Sequence, residues 1–193
     1  MRKIHLAVGS LALAAALFGT INASAQKASQ HGAGYIQANP LGFSVITIDT
    51  GVPAVTIPGF GTAGGSVSSG AYRMDFEGGY HFGSGGHDGF VAAFRQALIF
   101  ASGGVLASSQ GKFGYAIPIA IKGGPMELVV EPYGALGAAY GGGGGRFAFG
   151  FGADVRFFFN DSGLFVGGHP LELGGWISGG FVYNFALGGG YAF

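Results

Sequence analysis

The stretch RFAFGFGADVRFFF, residues 146–159, alternates almost without fault. Phe147, Phe149, Phe151, Val155, Phe157 and Phe159 share one parity, and Arg146, Ala148, Gly150, Gly152, Asp154 and Arg156 share the other. A two-residue period belongs to a β-strand, because successive side chains leave a strand on opposite faces. One face here is large and apolar, while the other is small and carries every charge. A soluble sandwich would turn the charges to water, whereas a membrane barrel turns them into its lumen.

The same test applied outward finds the pattern repeated. From Ala71 to Phe82, Tyr72, Met74, Phe76, Tyr80 and Phe82 oppose Arg73, Asp75, Glu77 and His81. From Lys112 to Ile121, Phe113, Tyr115, Ile117 and Ile119 oppose Gly114, Ala116, Pro118 and Ala120, with Pro118 expected at a bulge or distorted pair. Phe90 to Phe100 puts Phe90, Phe94, Leu98 and Phe100 outside and Arg95 inside, and Met126 to Tyr140 puts Leu128, Val130 and Leu136 outside and Glu127, Glu131 and Tyr133 inside. Gln96 and Pro132 interrupt these outer faces. Leu164 to Ile177 and Phe181 to Phe193 read as the last two strands, and a first lies within Tyr35 to Ile48, where Pro40 leaves the register open. The total is eight strands.

Composition chooses between the two readings of the alternation. Charged residues make up 9% of the chain against about 25% in an ordinary soluble domain, while 49% is hydrophobic and 42 residues are glycine. Beyond the N-terminus no apolar run reaches the length of about 18 residues that a spanning helix needs. An all-β, eight-stranded antiparallel transmembrane up-and-down β-barrel reconciles these facts, since alternation hides an apolar outer band in segments never continuously hydrophobic. Connections agree: the segments at Gly83 to Gly89, Lys122 to Pro125 and Asn160 to Gly163 are short, and Asp49 to Gly70 and Ala101 to Gly111 are long. The glycine run Gly141 to Gly145, expected at the long-loop end, is shorter. Aromatics cluster at two heights, with Phe82, Phe90, Phe157, Phe159, Phe165, Tyr191 and Phe193 toward one rim and Tyr72, Phe100, Phe113, Tyr140, Phe147 and Trp176 toward the other.

Residues 1–25 read as a signal peptide: Arg2 and Lys3, an apolar run from Leu6 to Phe18, and Ala23-Ser24-Ala25 as the cleavage site. Residues 26–193 are then the barrel domain, with seven basic and nine acidic residues and a net charge of −2, which offers nothing to nucleic acid. The absence of cysteine excludes disulfides, thiolate metal sites, a catalytic thiol and a lipid-carrying cysteine.

At the C-terminus, Phe185, Leu187, Gly189, Tyr191 and Phe193 alternate with Asn184, Ala186, Gly188, Gly190 and Ala192. This resembles the terminal signal of bacterial outer-membrane proteins, in which a final aromatic and spaced hydrophobics are read by the barrel-assembly machinery; Gly189 departs from it. The whole is similar to the eight-stranded class of the OmpA transmembrane domain and OmpX-like barrels. That resemblance implies the outer membrane of a Gram-negative bacterium, with outer-membrane lipids and the assembly machinery as partners. A peptidoglycan-binding domain after Phe193 is not expected.

Inside the lumen, Glu77, Arg95, Glu131 and Asp154 each lie six positions from an inferred turn, which suggests one polar layer. Arg73, Arg95 and Arg156 are expected to pair with Asp75, Glu77, Glu131 and Asp154, because buried charge persists only when paired. Such a network plugs a barrel just wide enough for side chains to fill. Small inward residues such as Gly114, Ala116, Gly150, Gly152, Gly188 and Gly190 leave room for long arginines or for a cavity. The expected role is therefore structural or surface-interacting, against alternatives of a gate, a small pore or hydrophobic-ligand channel, and a lipid A-modifying enzyme. For the enzyme the candidates are His169, Glu172 and Ser178, without a His-x-Ser motif. The loop 49–70, nearly uncharged and containing Val52-Pro53-Ala54-Val55-Thr56-Ile57-Pro58, is either a surface-ligand site or an extension of the first hairpin. Gly141 to Gly145 lacks the Lys-Ser/Thr of a phosphate loop, and His87-Asp88 and Asn160-Asp161-Ser162 read as turn chemistry. No catalytic residue, metal site or cofactor is assigned.

Overall fold

The computed structural model describes residues 33–49, 55–57, 61–63, 65–83, 87–120, 126–141, 144–159, 162–176 and 180–193. The expected signal peptide, the turn at Lys122 to Pro125, Ser178 and residues 50–54, 58–60 and 64 of loop 49–70 lie outside them.

The described residues form ten strands: β1 (Gly34–Asp49), β2 (Val55–Ile57), β3 (Gly61–Ala63), β4 (Ser66–His81), β5 (Gly89–Ala101), β6 (Gly104–Ala120), β7 (Met126–Gly141), β8 (Gly144–Phe159), β9 (Leu164–Trp176) and β10 (Gly180–Ala192). Eight close into an antiparallel barrel in which each strand pairs with the next and β10 returns to β1. The other two, β2 and β3, form a small separate ladder within the β1–β4 connection.

The distribution of side chains is inverted relative to a water-soluble protein. Thirty-one large apolar side chains are exposed among the described residues, whereas the buried set holds eighteen polar or charged ones. Burying Arg, Lys, Asp and Glu while exposing Phe, Tyr, Leu and Ile makes sense when the solvent around the barrel is hydrocarbon. The barrel is of the transmembrane type.

Register fixes its geometry. Starting at Glu77 and stepping across each pair, the ladder passes Arg95, Gln110, Gly137, Ala148, Trp176, Gly180 and Ile48, and returns to β4 at Val67, ten residues short of its start. With strands about 4.8 Å apart and about 3.3 Å per residue, this stagger corresponds to a tilt of about 40° and a backbone radius of about 8 Å. That interior holds side chains and little else.

Several expectations are corrected. Ala101 to Gly111 is not a long loop: Ala101 pairs with Gly104, and β6 starts there. The run Val-Leu-Ala-Ser-Ser-Gln, residues 105–110, pairs throughout with β5, but its small polar members dilute the apolar alternation. Phe113 consequently lies mid-strand rather than at a rim. Phe165 points inward onto Phe158, with ring centroids 4.9 Å apart, and Trp176 packs on the inward cluster of Ile46, Ala71, Ile99 and Val182. Pro118 pairs with Val129 in unshifted register, not at a bulge; β5 pairs only as far as Ala116, so β6 has a free edge where a missing N–H is harmless. Around Pro40 the register does shift, between Ala38 and Leu41 against β10 and between Asn39 and Gly42 against β4.

Candidate functional site in the barrel interior

Three layers fill the lumen. At the end that carries the termini, Tyr35, Val91, Ala116, Val129, Phe158, Phe165 and Ala192 form an apolar floor. His87, from the β4–β5 turn, folds into this mouth and stacks on Phe158 with centroids 4.1 Å apart. Toward the opposite end, Ile46, Ala71, Ile99 and Val182 form a second apolar layer. The charges lie between them.

One knot centres on Lys112, which is fully buried. Its ammonium lies 2.8 Å from Glu77 and 2.7 Å from Glu131, hydrogen-bonds Asp154, and sits 4.4 Å from the centre of the Tyr133 ring. Arg156 completes the knot, with Nη1 2.5 Å from Glu131 and Nη2 2.9 Å from Asp154 and 3.2 Å from Glu77. Its Nε donates to Gln37 at 2.8 Å, and its guanidinium lies 4.2 Å from the Tyr35 ring centre. The Tyr35 hydroxyl donates to Glu77 at 2.6 Å.

A second knot centres on Glu172, which pairs with Arg95 and approaches Arg73 at 3.6 Å. Tyr133 and Asn184 donate to it at 2.6 Å and 2.7 Å. Arg73 Nε donates to Asp75 at 2.8 Å, and Arg95 Nη2 donates to Gln110 at 2.7 Å. His169 joins the knots, 3.2 Å from Asp75 and 3.8 Å from Asp154. Four permanent cations thus face five carboxylates across the lumen, with His169 between two of the carboxylates. Paired, multiply hydrogen-bonded charges are what a low-dielectric interior tolerates.

All seven residues singled out from the sequence lie in the lumen and are buried: Arg73, Asp75, Glu77, Arg95, Glu131, Asp154 and Arg156. Their partners are partly different. Arg95 pairs with Glu172 rather than with one of the four expected carboxylates. Of the four residues expected in one layer, Glu77, Glu131 and Asp154 do meet, around Lys112 with oxygens within 4.8 Å of one another, while the Arg95 guanidinium belongs to the Glu172 knot. Sequence reasoning missed Lys112, Glu172 and His169 as members. Lys112 shares the inward parity of Gly114 and Ala116, and that was the available signal.

His169 and Glu172, the enzyme candidates, are 1% and 2% exposed inside this network, away from the lipid-facing surface. Three of the carboxylates, Glu77, Glu131 and Asp154, offer oxygens within 4.8 Å of one another, a spacing suited to a metal cation. The Lys112 ammonium, bonded to all three, takes the place such an ion would fill.

At the C-terminus, Phe185, Leu187, Tyr191 and Phe193 all face outward, 40–45% exposed, while Asn184, Ala186 and Ala192 face in. Phe193 exchanges backbone hydrogen bonds with Gly34, at 2.8 Å and 3.1 Å, so the last residue sits at the barrel seam.

No protein-family model matches the chain, and no curated protein matches it. Among solved structures, the crystal structure of Neisserial surface protein A (NspA) matches with a TM-score of 0.55 over 84% of this chain and 98% of that one, at 12% sequence identity. At that identity the likeness is one of fold.

Proposed function

We propose that this chain is an outer-membrane barrel of a Gram-negative cell, exported by a signal peptide spanning residues 1–25, with a sealed lumen and a structural or surface-interacting role. The carrying observation is the continuous ion-pair core: Lys112 and Arg156 hold Glu77, Glu131 and Asp154, while Arg73 and Arg95 hold Asp75 and Glu172. Apolar layers flank it on either side in an interior about 8 Å in backbone radius, and His81 and His87 are the polar side chains that interrupt the layer at the terminus end. Lipid contacts come from the outward belt. Residues Phe185, Leu187, Tyr191 and Phe193 serve as the assembly signal, and the part of loop 49–70 that lies between β1 and β4 is the segment available for a surface ligand, since 66–70 pair with β1 as the start of β4.

Liposome flux tests the seal. Vesicles carrying the refolded barrel should retain a small ionic dye as well as empty vesicles do, and steady leakage that disappears on changing Arg95 would overturn the reading.

A further inference from the structure

The two residues that interrupt the apolar outer face, Gln96 and Pro132, lie on one side of the barrel, on β5 and β7 with β6 between them. Gln96 has the parity of Phe90, Phe94, Leu98 and Phe100, so it belongs to the lipid-facing belt and stands near its middle. The Ser109 hydroxyl donates to its side-chain carbonyl at 2.5 Å, and the side chain is 6% exposed. Polar side chains on a membrane-spanning surface ordinarily mark contact with another spanning segment, because hydrocarbon offers them no partner.

Beside this pair the outer face is a checkerboard. Phe113 of β6 stands next to Gly134 of β7, and two residues along the same strands Gly111 stands next to Leu136. The large members project, Phe113 being 64% and Leu136 55% exposed. The small members are hollows: a Cβ on Gly134 would touch nothing within 4 Å, and one on Gly111 would meet its first neighbour at 3.7 Å. The hollow at Gly134 opens into a groove of about 630 Å³ that Phe90, Tyr115, Pro132 and Phe151 also line.

We propose that this face, centred on β6 and β7, is where a second copy of the chain docks within the membrane. Copies inserted in the same orientation are related by a two-fold axis along the membrane normal, which sets β6 of one opposite β7 of the other. With strands tilted about 40°, residues paired across β6 and β7 differ in height by only about 3 Å. The two-fold therefore carries Phe113 of each copy into the Gly134 groove of the second, and Leu136 of each onto Gly111 of the second. Apolar surface gains little by leaving lipid for protein, so close packing against small residues carries such an association. Projections and hollows matched under a two-fold meet that demand, whereas hydrocarbon conforms to any surface and requires no match. Barrel curvature limits contact to about three strands, which over a belt about 25 Å tall present about 400–500 Å² on each copy. The pair then buries close to the lower limit of about 1,000 Å² for a specific contact, so a reversible dimer is expected. The inference rests on the transmembrane barrel and is independent of the sealed-lumen reading.

The chain has no cysteine, so Ser102→Cys, in the β5–β6 turn, gives a single labelling point. Full barrels carrying donor or acceptor dyes there are reconstituted together in phosphatidylcholine vesicles over a range of protein-to-lipid ratios, and folding of each variant is checked by heat-modifiable mobility. Energy transfer above that of randomly placed barrels, saturating as the ratio rises, is expected. Gly134→Leu fills the hollow without a clash in its own barrel and should weaken the dimer about tenfold or more, the scale of overpacking. Ala38→Leu adds the same bulk to the outward, exposed face of β1 and should leave the dimer unchanged. Combining Gly134→Leu with Phe113→Ala moves the projection from β6 to β7, so the added leucine of one copy faces the alanine of the other and most of the affinity should return.

Transfer no greater than chance would leave the face to lipid or to a different membrane protein and would overturn the proposal. Equal weakening by Gly134→Leu and Ala38→Leu would do the same, and that comparison decides even if Phe113→Ala prevents assembly. A double variant no tighter than Gly134→Leu alone would rule out the two-fold arrangement.

Discussion

Replacing Lys112 by Met keeps the length of the side chain and removes the cation that three carboxylates share. Glu77, Glu131 and Asp154 then keep Arg156 as the one permanent cation paired with them among the described residues, with their oxygens within 4.8 Å of one another. Two like charges at that separation repel by about 3.5 kcal/mol at an effective dielectric of about 20. Removing one partner from a buried ion pair costs about 3–5 kcal/mol in measured cases. The Lys112→Met barrel should therefore lose about 3–5 kcal/mol of stability.

Urea titration of the refolded barrel, followed by Trp176 fluorescence and by heat-modifiable mobility, measures that loss as a shift in midpoint at constant slope. Adding Glu131→Gln removes one of the stranded charges, so the double variant should recover at least about 1 kcal/mol relative to Lys112→Met alone. A loss below about 1 kcal/mol, or strictly additive effects in the double variant, would refute the reasoning. Either result would mean that water reaches and solvates the carboxylates, and the lumen would not be a dry plug.

Gly79 faces inward beneath the Tyr35 ring, and a Cβ there would lie 2.6 Å from it. Gly79→Ala should cost about 1–3 kcal/mol in the same urea assay, and an unchanged midpoint would show that the ring moves freely aside. Phe193→Ala should lower the amount of assembled barrel in cells far more than it lowers refolding yield in detergent; equal losses in both would make Phe193 a packing residue and not a recognition signal. Mass spectrometry of the protein from outer membranes should find a mature chain starting at Gln26, and an intact N-terminus would remove the export signal from the account.

Strand identity was legible wherever bulky and small residues alternate strictly, as from Phe147 to Phe159. It failed where both faces are small: residues 105–110 read as loop because neither parity is distinctively apolar, although each residue pairs with β5. Individual rings were misassigned for a related reason. Phe165 is one position out of phase with Leu164 and Val166, both exposed, and height alone had placed it on the outer girdle. Parity placed Arg73, Asp75, Glu77, Arg95, Glu131, Asp154 and Arg156 in the interior. It could not say which charges meet, since Lys112 reaches Glu77 and Asp154 across the lumen, 35 and 42 residues away in sequence. Which side chains meet across the lumen depends on shear, which no single strand encodes.

The β1–β10 seam carries a consequence for how the barrel forms. Gly34 and Phe193 are joined by hydrogen bonds although they stand at opposite ends of the folded domain, 159 residues apart. For a flexible chain, closing a loop of that length costs about 4–5 kcal/mol in entropy, far more than the tight β5–β6 hairpin. Closure is therefore expected to be the late, slow event of folding. It is also the step at which alignment is decided. A slip of one residue along β1 would send Ile36 into the ion pairs and Gln37 into lipid, and the irregularity between Ala38 and Leu41 acts as a notch against that slip.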